Sequence, residues 1–435
     1  MRPLVLAALL LPLAAALPAQ AADPISILFV GNSYTFGRLE PVLHYNAANV
    51  RDLTQPRGPL HGGTNPALAF VSGAPFTNLT GTNSYPAGTI NPSTGAAFTS
   101  YSPHTQSLAW GGVPGIFQQM TMQAGLNYDV ALSTRNAASL RGHFLNTANA
   151  NWDLRGNITS QRWDKVVLQE QSDEPLPAMT VGGVTLGSNY ASFEAYANLI
   201  ENHVHLGNAL SYRERDVVVG STNGTLRTIT ANSNANSAAQ IYLQQTWARP
   251  NLINAPGATS IDPASGNASY SGAPAASFYA DLESMTTDLR TAYARAASFA
   301  ATDGGGFAGV VPVGDAFLRA VSSGVATRNL YAGNAASDGL IDLWFNDGTH
   351  ASVHGSYLSA LTLFGSITGV DPQSLGESER AAFDLGISSA DAVRLQRVAA
   401  LELGFAAQVP EPASLALFSL GLLGLLGWAR RRGSL

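Results

Sequence analysis

The chain has 435 residues, enough for one large domain or two ordinary ones, a formal net charge of −6 and no cysteine. Charged residues make up only 12% of it, and the acidic balance argues against nucleic acid as a partner, because phosphate binding needs a basic surface. The lack of cysteine excludes disulfides, thiolate nucleophiles and cysteine-bound zinc.

The first 22 residues predict a secretory signal peptide. Arg2 supplies a positive charge, an apolar run follows from Leu4 to Leu17, and Ala19-Gln20-Ala21 has the small-x-small pattern of a signal peptidase site. The alternative is an uncleaved N-terminal anchor, although the apolar run is short for a membrane span. We therefore expect an exported chain whose mature part begins near Asp23.

The body of the chain, residues 23–408, alternates strand-like and helix-like segments, which predicts one α/β domain with a largely parallel sheet. Five short apolar segments are typical of buried parallel strands. They are Ile25–Val30, Tyr128–Ser133, Lys165–Gln169, Gln240–Gln245 and Phe307–Val313. Helices are predicted over Gly115–Ala124, Tyr190–Leu210, Ala280–Ala300, Ser352–Thr368 and Ala390–Leu403.

Two segments interrupt this alternation. Residues 51–109 are rich in Gly, Pro, Asn, Ser and Thr, which predicts a long polar insertion, and a long loop in a compact domain is usually functional or disordered. Asp216–Ser237 contains the favoured turn dipeptide Asn223-Gly224, and this predicts a β-hairpin.

Ser33 directly follows the first predicted strand, in the order Gly31-Asn32-Ser33-Tyr34-Thr35. Ligands bind beyond the carboxyl ends of the strands in an open parallel sheet, so a nucleophile is expected at this place. Gly31 allows a tight turn, and backbone N–H groups after the turn can stabilise an oxyanion. The alternative is an ordinary capping residue between a strand and a helix.

A serine hydroxyl needs a base to become a good nucleophile, and histidine suits this task near neutral pH. Among the eight histidines, His350 has the most suitable neighbour, in Asp347-Gly348-Thr349-His350. An aspartate three residues earlier in a turn can accept a hydrogen bond from the imidazole and fix its tautomer. Helix capping by Asp347 is one alternative. A metal site with His354 is another, although no third ligand is evident.

Other polar residues follow the third and fourth predicted strands. Glu170 and the Asp173-Glu174 pair could carry glycoside hydrolysis, but a role in the loop is the simpler interpretation. Trp247 and Arg249 are candidates to line a substrate pocket, and a core aromatic with a surface arginine is the equal alternative.

The last residues, 409–435, contain three features in order. These are Val409-Pro410-Glu411-Pro412, an apolar stretch from Ala413 to Ala429, and the cluster Arg430-Arg431-Arg432. The stretch is just long enough to cross the inner membrane as a helix, with the arginines in the cytoplasm. The order resembles the PEP-CTERM sorting signal of Gram-negative bacteria. That resemblance implies a transient anchor, processing by an exosortase and transfer to the cell surface or medium, often alongside exopolysaccharide production. A plain C-terminal anchor is the alternative.

The strand followed by Gly31-Asn32-Ser33, together with the late Asp347-Gly348-Thr349-His350, resembles the SGNH/GDSL hydrolase family. The resemblance spans nearly the whole body of the chain. It implies a flavodoxin-like three-layer α/β/α sandwich with a five-stranded parallel sheet. It also implies a triad of Ser33, His350 and Asp347 that needs neither a metal nor an organic cofactor.

The two middle blocks depart from the common pattern of that family. Its third block has Gly-x-Asn after a strand, whereas Gln169 and Gln171 stand here, a variant that resembles a divergent bacterial subgroup. Gln171 carries the same amide donor on a longer arm. The second block lacks its glycine; the N–H of Ala138 or Ser139 could take its place, with Gly142 as the less favoured substitute. The implied oxyanion hole comprises the Ser33 N–H, the Ala138 N–H and the Gln171 amide, and the candidate pocket residues are Asn32, Gln169, Trp247 and Arg249.

These features predict an exported serine esterase that hydrolyses acyl esters. The sorting signal suggests O-acetyl groups on carbohydrate or exopolysaccharide as the substrate, with lipid or simple esters as the enzymatic alternative. A second class stays open, a non-catalytic surface or matrix protein that keeps the fold, because the middle blocks diverge and the insertion at 51–109 is long.

Overall fold

The structure is a computed structural model that describes residues 23–38, 41–53, 82–85, 102–105, 110–147, 153–253, 258–261, 268–271, 276–303, 305–332, 334–335, 337–345 and 347–405. Three predicted features fall outside these ranges. They are the signal peptide at 1–22, most of the insertion at 51–109 and the membrane segment at 413–429. None of the helices in the described part of the chain is both long enough and apolar enough to cross a membrane.

Within the described residues, six strands form one parallel sheet. They are β1 (Ile25–Gly31), β2 (Val50–Asp52), β3 (Tyr128–Thr134), β4 (Lys165–Gln169), β5 (Gln240–Gln244) and β6 (Gly309–Val311). Their order across the sheet is β6-β5-β4-β1-β3-β2, and every neighbouring pair is parallel. The prediction of an α/β fold with a parallel central sheet is therefore confirmed.

The sheet has one strand more than predicted. β2 pairs with β3 at the edge of the sheet and lies where the polar insertion was expected to begin. Its three residues alternate buried, exposed, buried, a pattern too short to stand out in the sequence. β6 is shorter than its predicted segment, because Pro312 caps the helix that follows.

The described residues contain the helices α1 (Ser33–Phe36), α2 (Gly112–Gln123), α3 (Leu140–Leu145), α4 (Leu154–Thr159), α5 (Tyr190–His205), α6 (Glu214–Val217), α7 (Pro250–Ile253), α8 (Leu282–Ala300), α9 (Val313–Ser322), α10 (Val353–Thr368), α11 (Arg380–Asp384) and α12 (Ser389–Glu402). Short 3-10 helices cover Ala47–Asn49, Ala301–Asp303 and Pro372–Leu375. The five predicted helices correspond to α2, α5, α8, α10 and α12. α5 ends earlier than predicted because Gly207 turns into the left-handed region with φ +63°.

The helices cover a sheet that is buried on both faces. Helices α2, α10 and α12 pack together, α3, α5 and α8 form a second group, and α9 contacts α8, α10 and α12. Ile27–Val30 of β1 and Lys165–Gln169 of β4 are buried without alternation. Continuous burial of this kind is typical of parallel strands with helices on both sides.

Antiparallel strand pairs lie outside the main sheet. They join Thr82–Tyr85 with Ser102–Thr105, Thr180–Val181 with Val184–Thr185, Leu210–Arg213 with Leu226–Ile229, and Ala258–Ile261 with Ala268–Ser271. The hairpin predicted over Asp216–Ser237 is wrong in its register. Its first strand starts earlier, and α6 occupies part of the connection, so Asn223-Gly224 lies in a long loop and not in a two-residue turn.

The strand order places Ser33 at a crevice. β1 lies between β3 and β4, and without the edge strand β2 the order is the 2-1-3-4-5 order of flavodoxin-like sheets. Strands that follow β1 in the chain depart from it in opposite directions, which opens a crevice beyond its carboxyl end. Ser33 stands two residues after the end of β1 and therefore lies at this crevice.

Candidate active site

The turn after β1 leads into the single helical turn α1. Asn32 caps this helix, because its Oδ1 accepts the Tyr34 N–H at 3.1 Å and its carbonyl accepts the Thr35 N–H at 2.9 Å. Ser33 is the first residue of α1 and is buried. The capping role that was the alternative for Ser33 therefore belongs to Asn32.

Two buried side chains from neighbouring elements hold this turn in place. Through Oε1, Gln169 at the end of β4 accepts the Asn32 N–H at 2.9 Å and the Thr35 hydroxyl at 3.0 Å. His143 on α3 lies with Nε2 2.8 Å from the Gly31 carbonyl. Burial lowers the pKa of His143 to about 4, so the ring is neutral near pH 7 and Nε2–H is the donor. No local pattern in the sequence identified His143.

The loop before α10 brings an imidazole to the same turn. Nε2 of His350 lies 2.9 Å from the Ser33 Oγ, and its Nδ1 lies 2.6 Å from the Asp347 Oδ2. Asp347 also accepts the backbone N–H groups of Thr349 and His350 on Oδ1, each at 2.9 Å. The structure thus brings together the three side chains that the sequence singled out, although Ser33 and His350 are 317 positions apart.

The charge of Asp347 determines which nitrogen of His350 carries the proton. Burial raises the pKa of Asp347, but hydrogen bonds from the His350 ring and from the backbone outweigh it and leave the pKa below its usual range. An ionised carboxylate at Nδ1 keeps the proton on that nitrogen. Nε2 is then an acceptor that faces the Ser33 hydroxyl.

A glycine shapes the loop between the acid and the base. Gly348 has φ +64°, in the left-handed region, and its N–H donates to the Phe345 carbonyl at 2.9 Å. A Cβ at this position would overlap the Tyr331 hydroxyl and lie 3.0 Å from the Asn251 nitrogen. Both the backbone and the neighbouring side chain therefore require glycine here.

Two of the predicted oxyanion donors are available. Among the described residues, neither the Ser33 N–H nor the Gln171 Nε2 has a hydrogen-bond acceptor. The Gln171 Oε1 accepts the Asp173 N–H at 2.6 Å, which anchors the other end of the amide. Val30 pairs with Leu168 in the sheet, so Ser33 and Gln171 follow paired positions at the same edge.

The third predicted donor is wrong. The Ala138 N–H donates to the Arg135 carbonyl at 3.3 Å, in a turn where Ala137 has φ +54°. The Ala138 carbonyl accepts the Asn32 Nδ2 at 3.1 Å instead. The turn Gly31–Thr35 carries the candidate nucleophile Ser33 and is called the nucleophile turn. The loop of Ala138 therefore contacts this turn through a carbonyl acceptor, whereas the Ala138 N–H is already bonded.

Three of the four candidate pocket residues are enclosed in the protein. Asn32, Gln169 and Trp247 are 3%, 0% and 1% exposed, so they do not line an open pocket, and that prediction is corrected. Trp247 is stacked between the rings of Tyr34 and Phe317. These residues support the site from the protein interior. The alternative of a core aromatic therefore applies to Trp247.

The fourth candidate, Arg249, is a buried arginine and not a surface one. Its guanidinium forms an ion pair with Asp173 and donates to the Ser172 hydroxyl at 2.8 Å. Asp173 in turn donates its N–H to Gln171. Arg249 therefore braces the loop that carries the Gln171 amide.

The carboxyl groups considered for glycoside hydrolysis have shifted acidities. Burial, and then the nearby charge of Glu174, raises the pKa of Glu170 well above its usual range. Burial also raises the pKa of Glu174 to about 7. Glu170 is buried and bonded to two backbone N–H groups, which favours the interpretation that it supports the loops.

The metal alternative finds no support in the side-chain positions. Both ring nitrogens of His350 face Asp347 and Ser33, whereas His354 lies 4.0 Å from Asp391. Within the described ranges, no group of three or more histidine, aspartate or glutamate side chains is arranged to hold a metal ion.

Comparison with known proteins shows similarity to solved structures at low sequence identity. No curated protein matches the chain at a significant level. The chain is similar to a DUF4886 family protein from Bacteroides uniformis, with 13% identity over 90% of this chain and 99% of that chain and a TM-score of 0.41. It is also similar to a Slackia heliotrinireducens protein provisionally described as an SGNH hydrolase, with 15% identity over 79% of this chain and 100% of that chain and a TM-score of 0.33.

Residues 408–432 match the PEP-CTERM protein-sorting motif. The prediction made from the order of the last residues is thereby confirmed. The motif implies export, sorting to the surface and processing by an exosortase. The protein thus carries a PEP-CTERM sorting signal C-terminal to an α/β domain.

Proposed function

We propose that this protein is an exported serine hydrolase that cleaves ester bonds. The observation that carries the proposal is the continuous hydrogen-bonded chain from the Ser33 hydroxyl through His350 to Asp347. A hydroxyl, a base and an orienting acid in this order make an activated nucleophile. Its place beyond the carboxyl end of a central parallel strand is where ligands bind in such sheets.

The reaction follows from the positions of the donors and acceptors. The Ser33 Oγ attacks the ester carbonyl carbon while the His350 Nε2 takes the hydroxyl proton, and Asp347 stabilises the imidazolium. The Ser33 N–H and the Gln171 Nε2 donate to the oxyanion. The leaving alcohol takes the proton from His350. A water molecule then attacks the acyl-enzyme with His350 as its base, which releases the acid and restores Ser33.

The same residues support an SGNH/GDSL type of domain over residues 23–408, after removal of the signal peptide at 1–22. The strand order, the Gly31-Asn32-Ser33 turn and the late Asp347 and His350 all agree with that assignment. Gln171 takes the place of the asparagine in the third block of the family.

For the substrate we propose O-acyl groups, such as acetyl esters, on extracellular carbohydrate. The sorting motif at 408–432 supports this choice, because it directs the domain to the surface, where such polymers occur. Activity on an acetylated polysaccharide greater than on lipid esters of equal concentration would favour it over the alternatives.

A comparison of three forms of the purified protein tests the hydrolase. The wild type is expected to hydrolyse p-nitrophenyl acetate and to react with a fluorophosphonate probe. Ser33→Ala is expected to do neither, whereas Ser322→Ala, which changes an exposed serine on α9, should behave as the wild type. A folded wild type that is inert in both assays would overturn the proposal and favour a non-catalytic surface protein.

A further inference from the structure

The carboxyl group of Glu170 lies between two loops that flank the nucleophile turn. Glu170 is 1% exposed, and its Oε1 accepts the N–H of Leu140 at 2.9 Å and the N–H of Gln171 at 2.6 Å. Leu140 begins α3 in the loop after β3, and Gln171 lies in the loop after β4. One oxygen atom therefore connects the two loops.

This contact joins two loops whose strands are not paired with each other in the sheet. β3 and β4 are not neighbours, because β1 lies between them. A bond from a residue after β4 to a residue after β3 must therefore pass across the carboxyl end of β1, where the Ser33 turn begins. The two loops on either side of Ser33 are thus held to each other as well as to the turn.

Three consecutive residues at the end of β4 each make a different contact at this edge of the sheet. Gln169 holds the nucleophile turn through the Asn32 N–H, and Gln171 presents an amide nitrogen that has no acceptor among the described residues. Glu170 stands between them and holds both the backbone of Gln171 and the first turn of α3. A shift of the Glu170 side chain would therefore move the Gln171 donor relative to Ser33.

The protonation of Glu170 suits this role. Burial, and next the charge of Glu174, raises its pKa well above the usual range, which favours the neutral form of the carboxyl group. A neutral carboxyl still accepts two N–H groups through its carbonyl oxygen. The neutral form also adds no negative charge beside the developing oxyanion.

We propose that Glu170 is a positioning residue that sets the place of the Gln171 amide and the α3 loop relative to Ser33. The inference rests on the proposed hydrolase function. Donors aimed at an oxyanion act in the transition state, so their displacement lowers kcat more than it raises KM. A displacement of about 1 Å can cost on the order of 10²-fold in rate.

Two variants of Glu170 and one matched control test this role. Glu170→Gln keeps the shape and the acceptor oxygen, and it should retain kcat within a few fold. Glu170→Leu loses the acceptor, and its kcat should fall by roughly 10²-fold with KM nearly unchanged. The control is Glu379→Leu. Glu379 is also 1% exposed and accepts two backbone N–H groups, of Ala381 at 2.9 Å and Ala382 at 2.6 Å, but it caps the N-terminus of α11. The Glu379→Leu variant should therefore be less stable than the wild type and have the same kcat.

A second pair of variants tests the hydrogen bond between Leu140 and Glu170 from the donor side, in case Glu170→Leu does not fold. Leu140 is the first residue of α3, a position that favours proline, and Ser139 before it has the extended backbone that proline requires. Leu140→Pro lacks the N–H, whereas Leu140→Ala keeps it and loses the same buried side chain. We expect kcat of Leu140→Pro to lie about tenfold below that of Leu140→Ala, which corresponds to the ~1.4 kcal/mol of one hydrogen bond.

The outcomes separate this inference from the function on which it rests. An inert wild type overturns both. If the wild type is active and Ser33→Ala is not, the hydrolase stands, and the role of Glu170 is then overturned by wild-type kcat in Glu170→Leu. Equal loss in Glu170→Gln and Glu170→Leu, or equal kcat in Leu140→Pro and Leu140→Ala, would overturn it as well.

Discussion

The rings of Tyr34 and Trp247 are stacked, with centroids 4.0 Å apart and planes 9° from parallel. Tyr34 directly follows Ser33, and the Trp247 Nε1–H donates to the Thr349 carbonyl beside His350 at 3.0 Å. The aromatic contact and this hydrogen bond together join the turn that carries the hydroxyl to the loop that carries the imidazole. Both rings are buried, so the two loops cannot separate without breaking either the stack or the hydrogen bond.

Trp247→Phe keeps an aromatic ring in the stack and removes the N–H. We expect kcat to fall about fivefold with KM unchanged, because one hydrogen bond of about 1 kcal/mol no longer holds the loop of His350. The measurement is steady-state hydrolysis of p-nitrophenyl acetate. Trp163→Phe is the control. Trp163 is equally buried and its Nε1–H donates to the Ile158 carbonyl at 3.1 Å, but this hydrogen bond is remote from the site. The same fall in kcat for the control would contradict this account.

Gln171→Ala removes the proposed side-chain donor to the oxyanion. We expect kcat to fall by roughly 10²- to 10³-fold, as for the loss of one oxyanion donor elsewhere. The side chain is only partly buried, so the melting temperature should change little. Gln171→Asn keeps an amide on a shorter arm, so its kcat should lie between those of the wild type and Gln171→Ala. Undiminished turnover in Gln171→Ala would show that the oxyanion is held by other groups.

Asp347→Asn tests the control of the His350 tautomer. The asparagine oxygen can still accept the N–H groups of Thr349 and His350, so the loop should keep its shape. The amide NH₂, however, would face Nδ1 as a donor and move the ring proton to Nε2, where it opposes deprotonation of Ser33. We expect kcat to fall by on the order of 10²- to 10⁴-fold with KM nearly constant. A kcat within threefold of the wild type would contradict a role for Asp347 as the orienting acid.

Gly31→Ala tests the close packing of the nucleophile turn. A Cβ at Gly31 would overlap the Thr35 hydroxyl and lie 2.5 Å from the Gln169 Oε1. We expect the free energy of unfolding to fall by about 1–3 kcal/mol, and probe labelling of Ser33 to slow. Gly309→Ala is the matched control in β6, because a Cβ there meets no atom within 4 Å. Chemical denaturation of both variants gives the comparison, and equal stability would argue against tight packing at Gly31.

His143 predicts a dependence of stability on pH. Burial lowers its pKa from the ordinary 6.5 to about 4, so between these values the unfolded chain binds a proton that the folded chain does not. Its contribution to stability is therefore complete above pH 6.5 and is lost as the pH falls towards 4, by about 3 kcal/mol.

The variant His143→Gln isolates this effect, because its amide can still donate to the Gly31 carbonyl and does not titrate. Denaturation at the two ends of the pH range should show a loss about 3 kcal/mol larger in the wild type than in the variant. Parallel losses in the two proteins would mean that His143 is not held neutral in the fold.

The local sequence determined the elements and the candidate reactive side chains. Each of the five buried strands is a short apolar run that could be read from neighbouring residues alone. Ser33 was identified because it follows such a strand, and His350 because Asp347 stands three residues before it. The sorting motif at 408–432 was likewise a matter of order within one short segment.

Tertiary structure alone decided which groups support those side chains. The partners of the nucleophile turn, His143 and Gln169, are more than 100 positions away from it, and strand order, which no local pattern records, brings them near. Ala138 failed as a donor because a positive φ at Ala137 turned its N–H towards the chain's own backbone. A periodic pattern reports what one segment buries, whereas hydrogen-bond partners depend on how distant segments are placed side by side.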